Sequence, residues 1–204
     1  MKYGLNAKIY AWAFTKILKS YYHKNFPETD MSEICKAIRK EYKEMVLRTP
    51  GIGGSSNEAN LVGACYFFSV AKVIPDMTPT FMDDIINKCI KSDFMVKLHQ
   101  GKKKKGTLFS EKEHEKKLQE AENPHHSTYE MDWEFTYQQG KDEFYITYTK
   151  CGICKLAARE HMENYLPCLC KMDFPKYELM GGKLIRTKTL ASGNDCCNFH
   201  VVKL

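Results

Sequence analysis

The hydrophobic period of this chain changes once, and the change divides it. Through the first hundred residues apolar side chains recur every three or four positions, the spacing of helices that bury one face. From Tyr129 they recur every second position: Tyr129, Met131, Trp133, Phe135 and Tyr137 alternate with Glu130, Asp132, Glu134 and Thr136. That is the pattern of a half-buried strand. Helices first and antiparallel strands afterwards make an α+β fold, with N-terminal helices packed on a four-stranded antiparallel sheet formed by the C-terminal half. The 204 residues suit a single α+β domain. Its parts are a helical half (1–100), a charged, lysine-rich connector (101–126) and a sheet-forming, cysteine-rich half (127–204).

In the helical half, Leu5, Ile9, Ala13, Ile17 and Tyr21 form one stripe, with Phe14 and Leu18 beside it. Ile34, Ile38, Tyr42, Met45 and Val46 form a second, with Thr29 or Asp30 placed to cap its helix. Residues 58–74 are apolar on nearly every side, which predicts the central core helix, with Cys65 as packing. Thr78-Pro79 is a cap followed by a first-turn proline and predicts a helix to about Gln100. The glycine-rich stretch 50–57 lacks the lysine and hydroxyl residue of a phosphate loop, and no strand precedes it, so it reads as a flexible loop or lid. Composition makes 101–124 a solvated loop, although Ser110-x-x-Glu113 has the form of a capping box and allows a short helix. His125-His126 follow a proline, and adjacent histidines point different ways, which suits a shared metal poorly.

The formal net charge is +6, and without the run Lys102 to Lys105 it falls to +2. The basicity is one patch, which argues against a nucleic-acid partner and fits attraction of an anionic substrate. No stretch approaches the ~20 apolar residues of a membrane span. Nine cysteines, an odd number with no signal peptide before them, predict reduced thiols in a cytoplasm.

The second half continues with a strand over Phe144, Ile146 and Tyr148, a helix over 152–166, a short helix near Tyr177, and a hairpin turned by Ser192-Gly193-Asn194-Asp195. Pairing Leu190 with Cys197 puts Arg186, Lys188, Cys197 and Phe199 on one face and Thr187, Thr189, Asn198 and His200 on the other. At ~3.3 Å per residue this sets Arg186 and Cys197 about 13 Å apart.

Three short motifs carry a resemblance. Thr149-Lys150-Cys151, Cys170-x-x-Asp173, and Arg186-Thr187-x-Thr189-Leu190-Ala191-x-Gly193 with Cys197-x-Phe199 are similar to the motifs of the L-2-amino-thiazoline-4-carboxylic acid hydrolase family. They span roughly the last third of the chain. Asn198 stands where the family more often has aspartate, so no carboxylate role is carried over there. The resemblance implies hydrolysis of a cyclic amidine to N-carbamoyl-L-cysteine, with a small carboxylate-bearing substrate as partner and no cofactor. Under it Cys170 or Cys197 attacks the amidine carbon or protonates the leaving sulfur, Asp173 acts as general base and His200 moves protons. Arg186 clamps the carboxylate and Thr187 and Thr189 bind the amidine nitrogens.

Other readings stay open. Arg186 equally suits a structural ion pair with Asp173, and Cys197 a place in the core. Cys151, Cys154, Cys168 and Cys170 form two close thiol pairs of the kind that holds structural zinc. The same body also suits a non-catalytic ligand-binding or thiol-sensing protein, or a homo-oligomer.

Overall fold

Helix α3 (Glu58–Val73) is the element around which the helical layer is built. Its Leu61, Cys65, Tyr66, Phe68 and Val70 are fully buried. The computed structural model describes residues 1–25, 28, 30–122 and 128–204. Helices α1 (Leu5–Asn25), α2 (Met31–Arg48) and α4 (Pro79–Ile90) pack on α3. The buried stripe of α1 is Ala7, Ala11, Phe14, Leu18 and Tyr22, rotated from the expected one, and Leu5 and Ile9 are exposed. Alanines let the helix axis approach α3 more closely than leucine and isoleucine would, so Phe14 can stack on Phe67 at 5.5 Å. Helix α2 buries the predicted Ile38, Tyr42, Met45 and Val46, and Asp30 caps it by accepting from the Ser32 N–H at 2.8 Å. Thr29, His125 and His126 lie outside the described residues.

Two expectations fail here for the same local reason. The helix expected over 78–100 is two helices, because the Ser92 hydroxyl accepts from the Met95 N–H and starts α5 (Asp93–Lys104) afresh. The supposed loop after Gln100 is helical: α5 runs through Lys104, a 3-10 turn covers Thr107–Phe109, and α6 spans Glu111–Glu122. Ser110 accepts from the Glu113 N–H at 3.3 Å, so the cap outweighs the charged composition. A side-chain oxygen that satisfies orphan first-turn amides ends one helix and begins the next.

The sheet has four antiparallel strands in the order β1-β2-β4-β3: β1 (Glu134–Gln139), β2 (Glu143–Lys150), β3 (Gly182–Ile185) and β4 (Cys197–Lys203). Strand β1 starts five residues later than its alternation predicts. Asp132 accepts from its neighbour's N–H at Trp133 (2.8 Å) and from Ser55 (3.1 Å), which turns the chain before it extends. Tyr148 pairs with Cys197, Ile146 with Phe199 and Phe144 with Val201, so these side chains share the inner face. Tyr145, Thr147, Asn198 and His200 share the outer one.

Strands β3 and β4 pair Leu184 with Val201 and Ile185 with His200, two residues from the expected register. A two-residue slip keeps every side chain on its face. It also brings Arg186 opposite Phe199, about 7 Å along the sheet from Cys197 in place of about 13 Å.

Three helices join the strand pairs: α7 (Gly152–Glu160), α8 (Leu166–Lys171) and α9 (Asp173–Leu179). The helix expected to reach 166 stops at Glu160, where His161 turns left-handed at φ 58°. Glu160, at the end of α7, is 4% exposed and accepts from Arg48 at 2.7 Å and from Lys72 at 2.5 Å. This ties α7 to α2 and α3. Among the described residues no helix is long and apolar enough to cross a membrane.

Candidate active site

Between the inner face of the sheet and helices α3, α5, α7 and α9 lies a cavity of about 590 Å³. Most of its wall is apolar, from side chains such as Phe67, Met95, Trp133, Phe144 and Phe199. Its polar groups include Cys151, Cys154, Cys170, Asp173, Lys176, Arg186 and Cys197.

Arg186 arrives from the end of β3 and is held on all sides. One guanidinium nitrogen donates to Asp173 Oδ2 at 2.7 Å and the other to the Cys170 carbonyl at 2.8 Å. The Phe174 and Phe199 rings lie 4.9 Å away. The side chain is 4% exposed. Arg186 therefore fixes Asp173 and the α8–α9 junction, the geometry of the ion-pair alternative.

Asp173 opens α9 and lines the cavity. Burial raises its pKa, and the positive charges of Lys176 and Arg186 offset this only in part. Lys176 lies three residues further on, so the two groups fall on the same side of one helix. Burial, with Lys102 and Lys117 nearby, lowers the Lys176 pKa against the pull of Asp173. Among the described residues its ammonium makes no hydrogen bond or ion pair, and it faces the cavity.

The four cavity thiols are not equivalent. Burial pushes Cys170 up to about 12 and also raises Cys197, whose sulfur accepts from the Leu190 N–H at 3.2 Å. Cys151 is the exception. It is the N-cap residue of α7, where β2 hands over to the helix. Its sulfur makes no complete cap hydrogen bond. The Cys154 thiol and the N–H groups of Cys154 and Ile153 are close enough to favour the thiolate, and they draw Cys151 below the ordinary thiol range despite burial. Cys154 is raised in turn, first by this interaction and then by burial. The pair has the polarity of a nucleophile and a proton donor. Gly152 makes the junction possible, since a Cβ there would strike the Met131 carbonyl and come within 2.8 Å of the Trp133 ring.

Of the residues singled out from sequence, Cys170, Asp173, Arg186 and Cys197 thus meet in one cavity. Thr187, Thr189 and His200 do not line it. His200 is on the outer face, 2.8 Å from Glu143 and stacked on Tyr145. Thr187 donates its N–H to Asn198, and Thr189 bonds to Ser192 in the β3–β4 loop. Asn198 accepts from the N–H groups of Thr187 and Lys188, so this departure from the family pattern also falls outside the cavity.

The four-thiol zinc set is dispersed, because Cys168 turns its thiol to the Pro79 carbonyl beneath α4. Among the described residues no three His, Cys, Asp or Glu side chains are placed to hold a metal ion. Lys176 and the lowered pKa of Cys151 were not foreseen. The three-residue spacing from Asp173 was the available signal for the lysine, and the strand-to-helix switch at Thr149-Lys150-Cys151 was the one for the thiol.

The model of the L-2-amino-thiazoline-4-carboxylic acid hydrolase family matches residues 56–201, which takes in α3 to β4 and not only the last third of the chain. No curated protein and no solved structure matches.

Proposed function

Because the chain belongs to the L-2-amino-thiazoline-4-carboxylic acid hydrolase family, we propose that its cavity opens a small cyclic amidine carboxylate, of the 2-amino-thiazoline-4-carboxylate type, to the N-carbamoyl-cysteine. One observation carries this reading: a carboxylate, an ammonium without a hydrogen-bond or ion-pair partner among the described residues, and a thiol of lowered pKa face the same cavity. The substrate is complementary, with a basic amidine for Asp173, a carboxylate for Lys176 and an electrophilic carbon for Cys151.

The chemistry divides into two steps. Cys151 sulfur bonds to the amidine carbon, the carbon–ring sulfur bond breaks, and the Cys154 proton passes to the departing sulfur. This leaves an isothiourea on Cys151 and a thiolate on Cys154. Water then adds to the same carbon. One of its protons goes by way of Asp173 to the Cys154 thiolate and the other to the imino nitrogen, and the carbon–Cys151 bond breaks. N-carbamoyl-cysteine leaves and both cysteines return to their starting states. Arg186 holds Asp173 in place throughout. All nine cysteines are free thiols, which suits work in a reducing cytoplasm.

The test is release of free thiol from L-2-amino-thiazoline-4-carboxylate by the purified, reduced protein. Cys151→Ser should lose on the order of 10³-fold in kcat. Lys176→Met should raise KM on the order of tenfold to a hundredfold, the worth of a hydrogen bond to a charge. Thiol release unchanged in Cys151→Ser would overturn the mechanism. Binding of the ring with no turnover in the parent would make the protein a ligand-binding member of the family.

A further inference from the structure

The cavity is too large for the ring alone. A molecule of about nine non-hydrogen atoms fills on the order of 150 Å³, whereas pockets of roughly 300–1,000 Å³ hold drug-sized ligands. The cavity measures about 590 Å³. Its lining includes apolar groups of the helical half, among them Phe14, Phe67, Ile90 and Met95.

A second observation is independent of volume. Gly63 sits in the middle of α3, on the face that carries Phe67 one turn later, and lines the cavity. A glycine inside a helix is destabilising relative to alanine. Such a residue is usually explained by a neighbour that needs the space. Here, among the described residues and outside the helix's own backbone, nothing lies within 4 Å of the place a Cβ would occupy. Among the described residues neither packing nor a turn uses the missing side chain, and the space opens into the cavity. Leu98, a large apolar residue left 45% exposed, also lines the space.

We propose that the substrate of this site is a thiazoline amidine carboxylate bearing a bulky apolar substituent, which lies along the wall formed by Gly63, Phe67, Met95 and Leu98. The exocyclic amidine nitrogen is the natural point of attachment. The ring carbon beside it is attacked, the ring sulfur leaves and the carboxylate is bound, whereas this nitrogen can carry a group while the ring nitrogen completes the amidine's proton transfers. This inference rests on the hydrolase reading above.

The experiment compares 2-amino-thiazoline-4-carboxylate with its N-benzyl and N-hexyl derivatives in the full chain, by thiol release and by calorimetric binding. The expected result is a kcat/KM at least tenfold higher for the substituted rings, carried by KM. Gly63→Leu and, separately, Leu98→Trp should lower the substituted-to-parent ratio at least fivefold, with folding checked by circular dichroism. Equal or lower kcat/KM for the substituted rings, or a ratio indifferent to both variants, would overturn the proposal. If no ring releases thiol, the hydrolase reading fails, and the cavity assignment is judged by affinity. Tighter binding of the substituted rings that Gly63→Leu abolishes would support it, and equal affinities would refute it.

Discussion

Replacing Arg186 by methionine tests what holds the reactive end together. The guanidinium is 4% exposed and donates to Asp173 at 2.7 Å and to the Cys170 carbonyl at 2.8 Å. Methionine keeps most of the volume between Phe174 and Phe199, so the loss is electrostatic and not a cavity. Removing one partner of a buried pair costs about 3–5 kcal/mol. Asp173 keeps 27% of its side-chain surface, which places the expectation near the lower end, about 3 kcal/mol at pH 7. The pH dependence follows from the direction of the Asp173 shift. Its folded pKa lies above its ordinary value, because burial outweighs the nearby cations. Such a group contributes stability that is fully present below the unfolded pKa and is lost as pH rises through the folded one. Without Arg186 the folded pKa rises further, so the variant should recover part of its loss as pH falls from 7 toward 5. Urea unfolding followed by circular dichroism measures this, and adding Asp173→Asn should restore about 1 kcal/mol or more at pH 7. A loss under about 1 kcal/mol, or one equal at both pH values, would refute the reasoning.

Two further predictions follow from the same electrostatics. Cys151 should be the first thiol alkylated by iodoacetamide at pH 7, with a rate that rises with pH to a plateau below the ordinary thiol pKa, read by peptide mass spectrometry. Cys154→Ala removes the largest cause of that shift and should slow the reaction several-fold at pH 7. At the other end of α7, burial pushes Glu160 up, but Arg48 and Lys72 pull it down to about 2. Its contribution is therefore present above its ordinary pKa and is lost as pH falls from about 4.5 toward 2, so Glu160→Gln should cost about 3 kcal/mol at pH 7 and much less near pH 2.5, measured by urea unfolding.

The division into helices and sheet was legible because period is a geometric property of the backbone. The face of each hairpin side chain was legible for the same reason. The slip between expected and observed register was even, and parity survived it: Arg186 and Phe199 remained together, apart from Thr187 and His200. What period does not encode is where an element stops. Ser92, Ser110 and Asp132 each redirect the chain through one side-chain oxygen, and each was outvoted by the pattern around it. The reactive thiol was hidden differently. Cys151, Cys154, Cys170 and Cys197 are equal as letters. They separate only when one stands at the first turn of a helix beside a second thiol while the others sit in apolar surroundings. Lys176 was hidden because its significance lies in its surroundings: it lines the cavity without a hydrogen-bond or ion-pair partner among the described residues.

Chemistry and specificity draw on different parts of the chain, and this separation is itself testable. The reactive groups Cys151, Cys154, Asp173, Lys176 and Arg186 are clustered late in the chain, within the span that matches the family. The part of the apolar wall proposed to take the substituent comes from the helical half, and α1 with Phe14, which also lines the cavity, lies outside that span. The hydrogen-bond and charge causes of the Cys151 shift are Cys154, Ile153 and Asp173, none of them on that wall; burial is the other cause. Leu98→Ala trims an exposed side chain on the wall, so it should cost little stability. It should raise KM for an N-benzyl ring several-fold and leave the alkylation rate of Cys151 where it was. Cys154→Ala should do the reverse, slowing alkylation and lowering kcat for both rings by a similar factor. If Leu98→Ala also slows alkylation, the wall and the thiol are one coupled unit, and the apolar end serves to organise the nucleophile and not to choose the substrate.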